Sequence, residues 1–251
     1  MSMHIRLGKF TVQELSALMH AASAIDDPGM RAASLSRHFM GLAYKEKTLI
    51  GGKDIREELV FDLSGADCFT FIDYIEAMRL SESFEDSISY LKRVRYLNGE
   101  VQYLMRNHFF TDWAERNTLF VQDLTEEIGE GRCRTAVKTL NLKEDGLLFV
   151  PGIEPRQREF RYIPAGTIDD DLMRRLRTGD YAGIYSEIAG LDVSHTGIVI
   201  KENGNISLRH ASSAQGVKKV VDRDLRSYLE DTPGLVVLRP KKQVGSGRPL
   251  P

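Results

Sequence analysis

The run from His195 to His210, HTGIVIKENGNISLRH, leaves the chain little choice of local fold. Two stretches rich in β-branched residues flank Asn203-Gly204, and Asn-Gly favours the tight turn whose twist matches that of paired antiparallel strands. The expectation is a hairpin with strands over 195–201 and 206–210. In such a hairpin the start of the first strand lies beside the end of the second, so His195 and His210 become neighbours across the ladder.

Residues 181–185 and 235–238 read as further strands of the same sheet, and 225–229 as a short helix. The earlier half has a different period. Thr11 and Glu14 form a capping-box pattern ahead of Leu15, Leu18 and Met19, which predicts a helix over 11–25. Leu35, Phe39 and Leu42 mark a second helix over 28–42, and Ser83 caps a third that carries Ile88, Leu91 and Val94 and ends at Asn98-Gly99. ELVFDL at 58–63 reads as a short extended segment, and 169–177 as a short amphipathic helix. The aromatic cluster NHFFTDW, 107–113, suits a core or lid, or else one wall of a substrate cleft. From 119 to 164 the pattern weakens around Pro151, Gly152 and Pro155, which predicts an exposed insertion or substrate-side loop. A helical first half and a hairpin-rich second half give an α+β fold, with the helices packed on a small antiparallel sheet. The expected organisation is one domain over 1–240 and a disordered Gly- and Pro-rich tail at 241–251.

Composition narrows the function. Lys and Arg number 34 against 36 Asp and Glu, so charge gives no reason to expect nucleic acid as a partner. No apolar stretch approaches the roughly 20 residues that span a bilayer, and MSMHIRLGKF lacks the apolar run of a signal peptide. As written the chain reads as cytoplasmic, with action at the cell envelope open through another export route or a removed leader. The two cysteines, Cys68 and Cys133, are too few for a disulfide framework, although a single bridge fits the count, and they lack the paired spacing of a structural zinc site.

Cys68 is the thiol with a context. In GADCFTFIDYIE, Asp67 is a good N-cap, and Phe71, Ile72 and Ile75 follow at helical spacing, so Cys68 opens a helix. The positive end of the helix dipole favours thiolate, the nucleophilic form. A helix that packs across the hairpin with this end near the histidines would align thiol, base imidazole and orienting imidazole, with the Cys68 backbone N–H and the Tyr44 hydroxyl as donors to an oxyanion. Asp67, Ser194 and Ser212 read as further candidate contacts around the three. The same residue types also serve as core groups, a buried cysteine packing as a small hydrophobe and a strand histidine as a satisfied structural group. Zinc on Cys68, His195 and His210 would need a further ligand that the sequence does not offer, so no metal or cofactor is expected. Cys133, in GRCRTA, has no histidine nearby in sequence and reads as a free structural thiol.

GLAYKEKTL around Tyr44, ADCFTFIDYIEAM around Cys68, YLNGEVQYLMRNHFFTDW, RTGDYAGIYSEIAGLDVSHTGIVI, and LRHASS with KKVVD together resemble the papain-like, NlpC-type cell-wall cysteine hydrolases. The resemblance is to their AmiA-like branch, the N-acetylmuramoyl-L-alanine amidase-like proteins. It spans about 40–225 in the family's order. It implies a papain-like fold, Cys68 as nucleophile, His195 as base and His210 as the orienting third residue, with peptidoglycan or a muropeptide as substrate. It further implies a thioester acyl-enzyme, with the muramoyl to L-alanine amide as the leading bond and a stem-peptide bond as the alternative. A non-catalytic wall-binding module that keeps the groove is the rival of another class. Two positions depart from the family's pattern, Phe69 after the nucleophile and Asp73 where Glu is expected; both bear on the pocket.

Overall fold

The computed structural model describes residues 2–242. Strand β1, Met3–Arg6, pairs in parallel with β2, Leu59–Asp62, and between them run helices α1, Val12–Ser23, and α2, Pro28–Arg37. Thr11 and Glu14 close the expected capping box on α1, and Asp27 caps α2, whose proline occupies the first turn. Helix α2 ends five residues before the predicted limit, with His38 as its C-cap. Next come α3, Cys68–Arg79, α4, Phe84–Arg95, and α5, Phe110–Arg116, the last formed by the aromatic cluster.

The region from 119 to 164 corrects the sequence reading. It holds β3, Val121–Asp123, α6, Thr125–Gly129, β4, Arg134–Leu140, and β5, Arg156–Pro164. Strands β4 and β5 pair over Arg134–Tyr162 to Leu140–Arg156, so the charges that suggested an exposed loop alternate along strands at the rim of the sheet. After α7, Asp170–Arg175, the chain makes β6, Tyr181–Tyr185, β7, Val193–Glu202, β8, Asn205–Ala211, β9, Val220–Asp224, helix α8, Leu225–Leu229, and β10, Gly234–Pro240. The sheet is therefore larger than predicted. It has eight strands, in the order β4-β5-β10-β6-β7-β8-β9, with β3 pairing β10 as well, and every pairing within it is antiparallel. Lys241, at the start of the expected tail, is held in place, its N–H donating to the Phe120 carbonyl at 2.7 Å. Residues 243–251 lie outside the described residues.

Strand alternation sorts the core into two layers. Ile198, Ile200, Val236 and Leu238 face the cluster built from α1 to α4, whereas Val199, Leu208, Leu235 and Val237 face the one formed by α6, α7 and α8. Helix α3 lies deepest, with every residue from Thr70 to Arg79 buried. Its polar side chains must then find partners within the protein. Asp73 accepts from Arg95 Nε at 2.7 Å and Trp113 Nε1 at 3.0 Å, and Arg95 donates on to the Val60 carbonyl at 2.6 Å. Glu76 accepts from Tyr181 Oη at 2.6 Å and Arg79 Nε at 2.7 Å. Asp73 is thus committed to joining α3, α4 and α5, and Glu76 to fixing α3 on β6.

Removing one member of a buried ion pair leaves the other charged and unsolvated. Asp73→Ala is expected to cost about 3–5 kcal/mol, read as a fall of roughly 10 °C in thermal midpoint. The double variant with Arg95→Met should recover part of that loss. Unchanged melting of Asp73→Ala would refute the role given to this network.

Candidate active site

The turn before Cys68 is built by close backbone approach. Tyr44 bridges to Ala66 in parallel, the Ala66 N–H donates to the Ala43 carbonyl at 3.1 Å, and the Lys45 N–H donates to the Ala66 carbonyl at 3.1 Å. A Cβ on Gly65 would lie 2.9 Å from the Ala43 carbonyl oxygen and 2.6 Å from Lys45 Cγ, so this packing excludes a side chain there. On its other side the 42–45 segment pairs with the chain leading into β9, the Tyr44 N–H donating to the Lys218 carbonyl at 2.9 Å. The segment that carries Tyr44 therefore folds back beside the cysteine turn, the condition under which its hydroxyl can serve the site.

Asp67 caps α3 as expected. Its Oδ1 accepts from the Phe69 N–H at 3.0 Å and the Thr70 N–H at 2.7 Å, and Thr70 Oγ1 accepts from the Asp67 N–H at 3.0 Å. These contacts occupy the second and third N–H groups of the helix and do not engage the first, that of Cys68. Asp67 is thus engaged with the helix. Ser194 is exposed, with its hydroxyl 3.4 Å from the Ile184 carbonyl, while buried Ser212 shapes the turn after β8 by accepting from the Ala214 N–H at 3.3 Å.

The hairpin brings the two histidines together. Its ladder runs from Glu202–Asn205 to Ile198–Arg209, so His210 lies one step beyond the last pair, beside Gly197, and His195 is its diagonal neighbour. Gly197 lies between them on that face and carries no side chain, and the rings close to 2.6 Å between His195 Nε2 and His210 Nδ1. The same alternation turns Thr196 toward α3. Its hydroxyl donates to the Cys68 carbonyl at 2.8 Å, which fastens the start of the helix to the strand that carries His195.

The thiol reaches this end of the hairpin by a different route from the one predicted. Its link to β7 is the Thr196 hydroxyl on the Cys68 carbonyl, and among the described residues neither imidazole hydrogen-bonds to the thiol. Burial first, and after it the electrostatic coupling to Cys68, raises the two phenols Tyr44 and Tyr228. The Tyr228 ring lies 6.1 Å from that of His195 and 5.2 Å from that of His210, so it is a neighbour common to all three groups. Tyr228 and Thr196 went unread in the sequence. Only Leu225 and Leu229 stand out in the short α8, and nothing local says that the residue between their two turns meets a hairpin.

Burial sets the electrostatics. It pushes the Cys68 thiol up to about 11, with Asp67 adding to the effect and the Thr196 groups opposing it. The helix dipole, worth about 0.3–1 kcal/mol, is outweighed, which reverses the thiolate expected from position alone. Burial likewise pushes His195 down to about 3, reinforced by His210, and His210 down to about 4, reinforced by Arg223. The site at rest is a neutral thiol with neutral imidazoles. Tyr44, pushed up to about 12 by burial and by Cys68, stays protonated and able to donate. Both cysteines are free; the Cys133 thiol donates to the Thr125 carbonyl at 3.2 Å, a structural contact. Among the described residues no group of three or more His, Cys, Asp or Glu side chains is arranged to hold a metal ion, and no helix is long and apolar enough to cross a membrane.

Comparison with known proteins supplies the family. Residues 34–235 match the AmiA-like family model, described as N-acetylmuramoyl-L-alanine amidase-like. The crystal structure of an N-acetylmuramoyl-L-alanine amidase from Bacteroides uniformis is 27% identical, with a TM-score of 0.73 over 86% of this chain and 99% of that one. A putative xylanase from Bacteroides fragilis is 28% identical, with a TM-score of 0.67 over 82% of this chain and 99% of the other. A Legionella pneumophila protein shares the fold at 22% identity, with a TM-score of 0.76 over 91% and 94% of the two chains. The search of curated proteins gave no match. A mixed α and β fold with an antiparallel sheet, shared with an amidase, and a family match across most of its length show that the chain belongs to the AmiA-like, N-acetylmuramoyl-L-alanine amidase-like family.

Proposed function

We propose that the protein is a papain-like, NlpC-type cysteine amidase of peptidoglycan or muropeptides, with Cys68 as nucleophile, His195 as general base and His210 as the residue that orients it. The observation that carries this reading is the 2.6 Å contact between His195 Nε2 and His210 Nδ1, on the strand whose next residue holds the Cys68 turn. With Nε2 committed to His210, Nδ1 of His195 is the nitrogen left to receive a proton.

The neutral resting pair favours general-base attack over a preformed ion pair. The Cys68 sulfur bonds to the amide carbonyl carbon as its proton passes to His195 Nδ1. The oxyanion takes hydrogen bonds from the Cys68 N–H and from Tyr44 Oη, which high pKa keeps protonated. Collapse breaks the C–N bond, and His195 returns the proton to the leaving amine. Water, deprotonated by the same imidazole, then hydrolyses the thioester and restores the thiol. The family name and the Bacteroides uniformis relative support the muramoyl to L-alanine amide as the bond cut. A wall-binding module without turnover is the second reading, favoured by the raised pKa of the thiol.

Cys68→Ala is expected to lower amide hydrolysis by on the order of a thousandfold or more with the fold intact. Mass spectrometry of digested muropeptides reads the bond: peptide-free glycan marks the amidase, and shortened peptide a stem-peptide endopeptidase. Wild-type turnover by Cys68→Ala would end the cysteine mechanism. Alkylation tests the resting charge. Labelling of Cys68 by iodoacetamide should climb about tenfold per pH unit through pH 8–10, since its thiol titrates at about 11. A labelling plateau below pH 8 would instead show a thiolate already paired with His195.

A further inference from the structure

His210 is buried, and its two nitrogens are used unequally. Nδ1 meets His195, while Nε2 is buried with no hydrogen-bond partner. The route of the proton assigns the tautomers. For His195 to accept on Nδ1, its own proton must sit on Nε2 and be donated to His210 Nδ1, so His210 carries its proton on Nε2. A buried N–H then lacks a conventional acceptor, a costly state unless another electron-rich group faces it.

Tyr228 offers such a group. Its ring centroid lies 5.2 Å from that of His210 with the planes at 73°, the edge-to-face arrangement that lets an N–H point into an aromatic face. Several features hold the ring in place. Arg209 grips Asp222 at 2.7 Å through both Nε and Nη2, which fixes β9 against β8. Asp224 caps α8 on the Ser227 N–H at 2.8 Å, and Leu225 and Leu229 are buried beneath the helix. The Arg223 guanidinium lies 5.2 Å from the Tyr228 ring centre.

We propose that Tyr228 is a positioning residue of this site, its aromatic face receiving the Nε2–H of His210 and holding the two imidazoles in the orientation their shared hydrogen bond requires. The groups that bear on the pair are Arg223 and Asp222 of β9, which act on His210, and the Tyr228 ring, which lies near both imidazoles. Tyr228 is the aromatic member of that set. The tautomers and the consequence for turnover rest on the cysteine-hydrolase reading; the ring geometry does not.

The test compares Tyr228→Phe, which keeps the ring, with Tyr228→Ala and Tyr228→Gln, which remove it. NMR titration of His195 and His210 is run beside steady-state hydrolysis of a muropeptide. Tyr228→Phe is expected to keep both titrations and to hold kcat/KM within about threefold of wild type. The ring-less variants should titrate closer to the ordinary histidine value of about 6.5 and lose about tenfold or more in kcat with KM little changed. Ring-less variants that titrate as wild type would overturn the proposal, as would Tyr228→Phe behaving like Tyr228→Ala. The titrations need no turnover, so a wild-type protein without hydrolase activity would count against the cysteine mechanism while the role of Tyr228 is still decided.

Discussion

The seating of α3 on the sheet is the constraint from which the site follows. A helix buried on every side can stay in water-free surroundings only if each polar group it carries is paired, and α3 pairs its groups with neighbouring elements at both ends. At its start the Cys68 carbonyl accepts from Thr196 of β7, and two turns later Glu76 accepts from Tyr181 of β6. These two anchors prevent the helix from sliding along or rotating over the strands. They bring the cysteine to the end of the hairpin that carries the histidines, whatever the surface loops do.

Burial that secures the helix also governs the chemistry. A thiol at a helix start is commonly read as activated, yet here the loss of solvent outweighs the dipole, and both imidazoles are driven toward neutrality by the same cause. The resting thiol and the resting imidazoles are all uncharged and withdrawn from solvent. Preorganised dipoles act most strongly under such conditions, because nothing has to reorganise when the charge forms. Tyr44 fits the same logic: its hydroxyl is held protonated beside the sulfur by the burial that raises it.

The two faces of the sheet divide the labour. Helices α1 to α5 fill one side and carry the cysteine, and the short α6, α7 and α8 close the other. Thr196 and His195, adjacent in the chain, point to opposite sides by strand alternation, so one strand both anchors the start of α3 and carries one of the paired histidines. Strands β3, β4 and β5 extend the sheet on the edge away from the histidines and leave the hairpin's neighbours unchanged.

Local chemistry made much of this legible. Asn203-Gly204 dictates a hairpin, the hairpin pairs the histidines, and Asp67 caps a helix that begins at Cys68, all through contacts between residues near in sequence. The strands over 121–164 were hidden because their alternating charges read as an exposed crossing; pairing with β10 and between β4 and β5 depends on partners far along the chain. Tyr228 and Thr196 were hidden for the same reason, since each matters through what it touches across the fold. The protonation state of Cys68 was the furthest from reach. A helix start is a sequence property, whereas burial is a property of everything packed around it, and in a low-dielectric interior the second prevails.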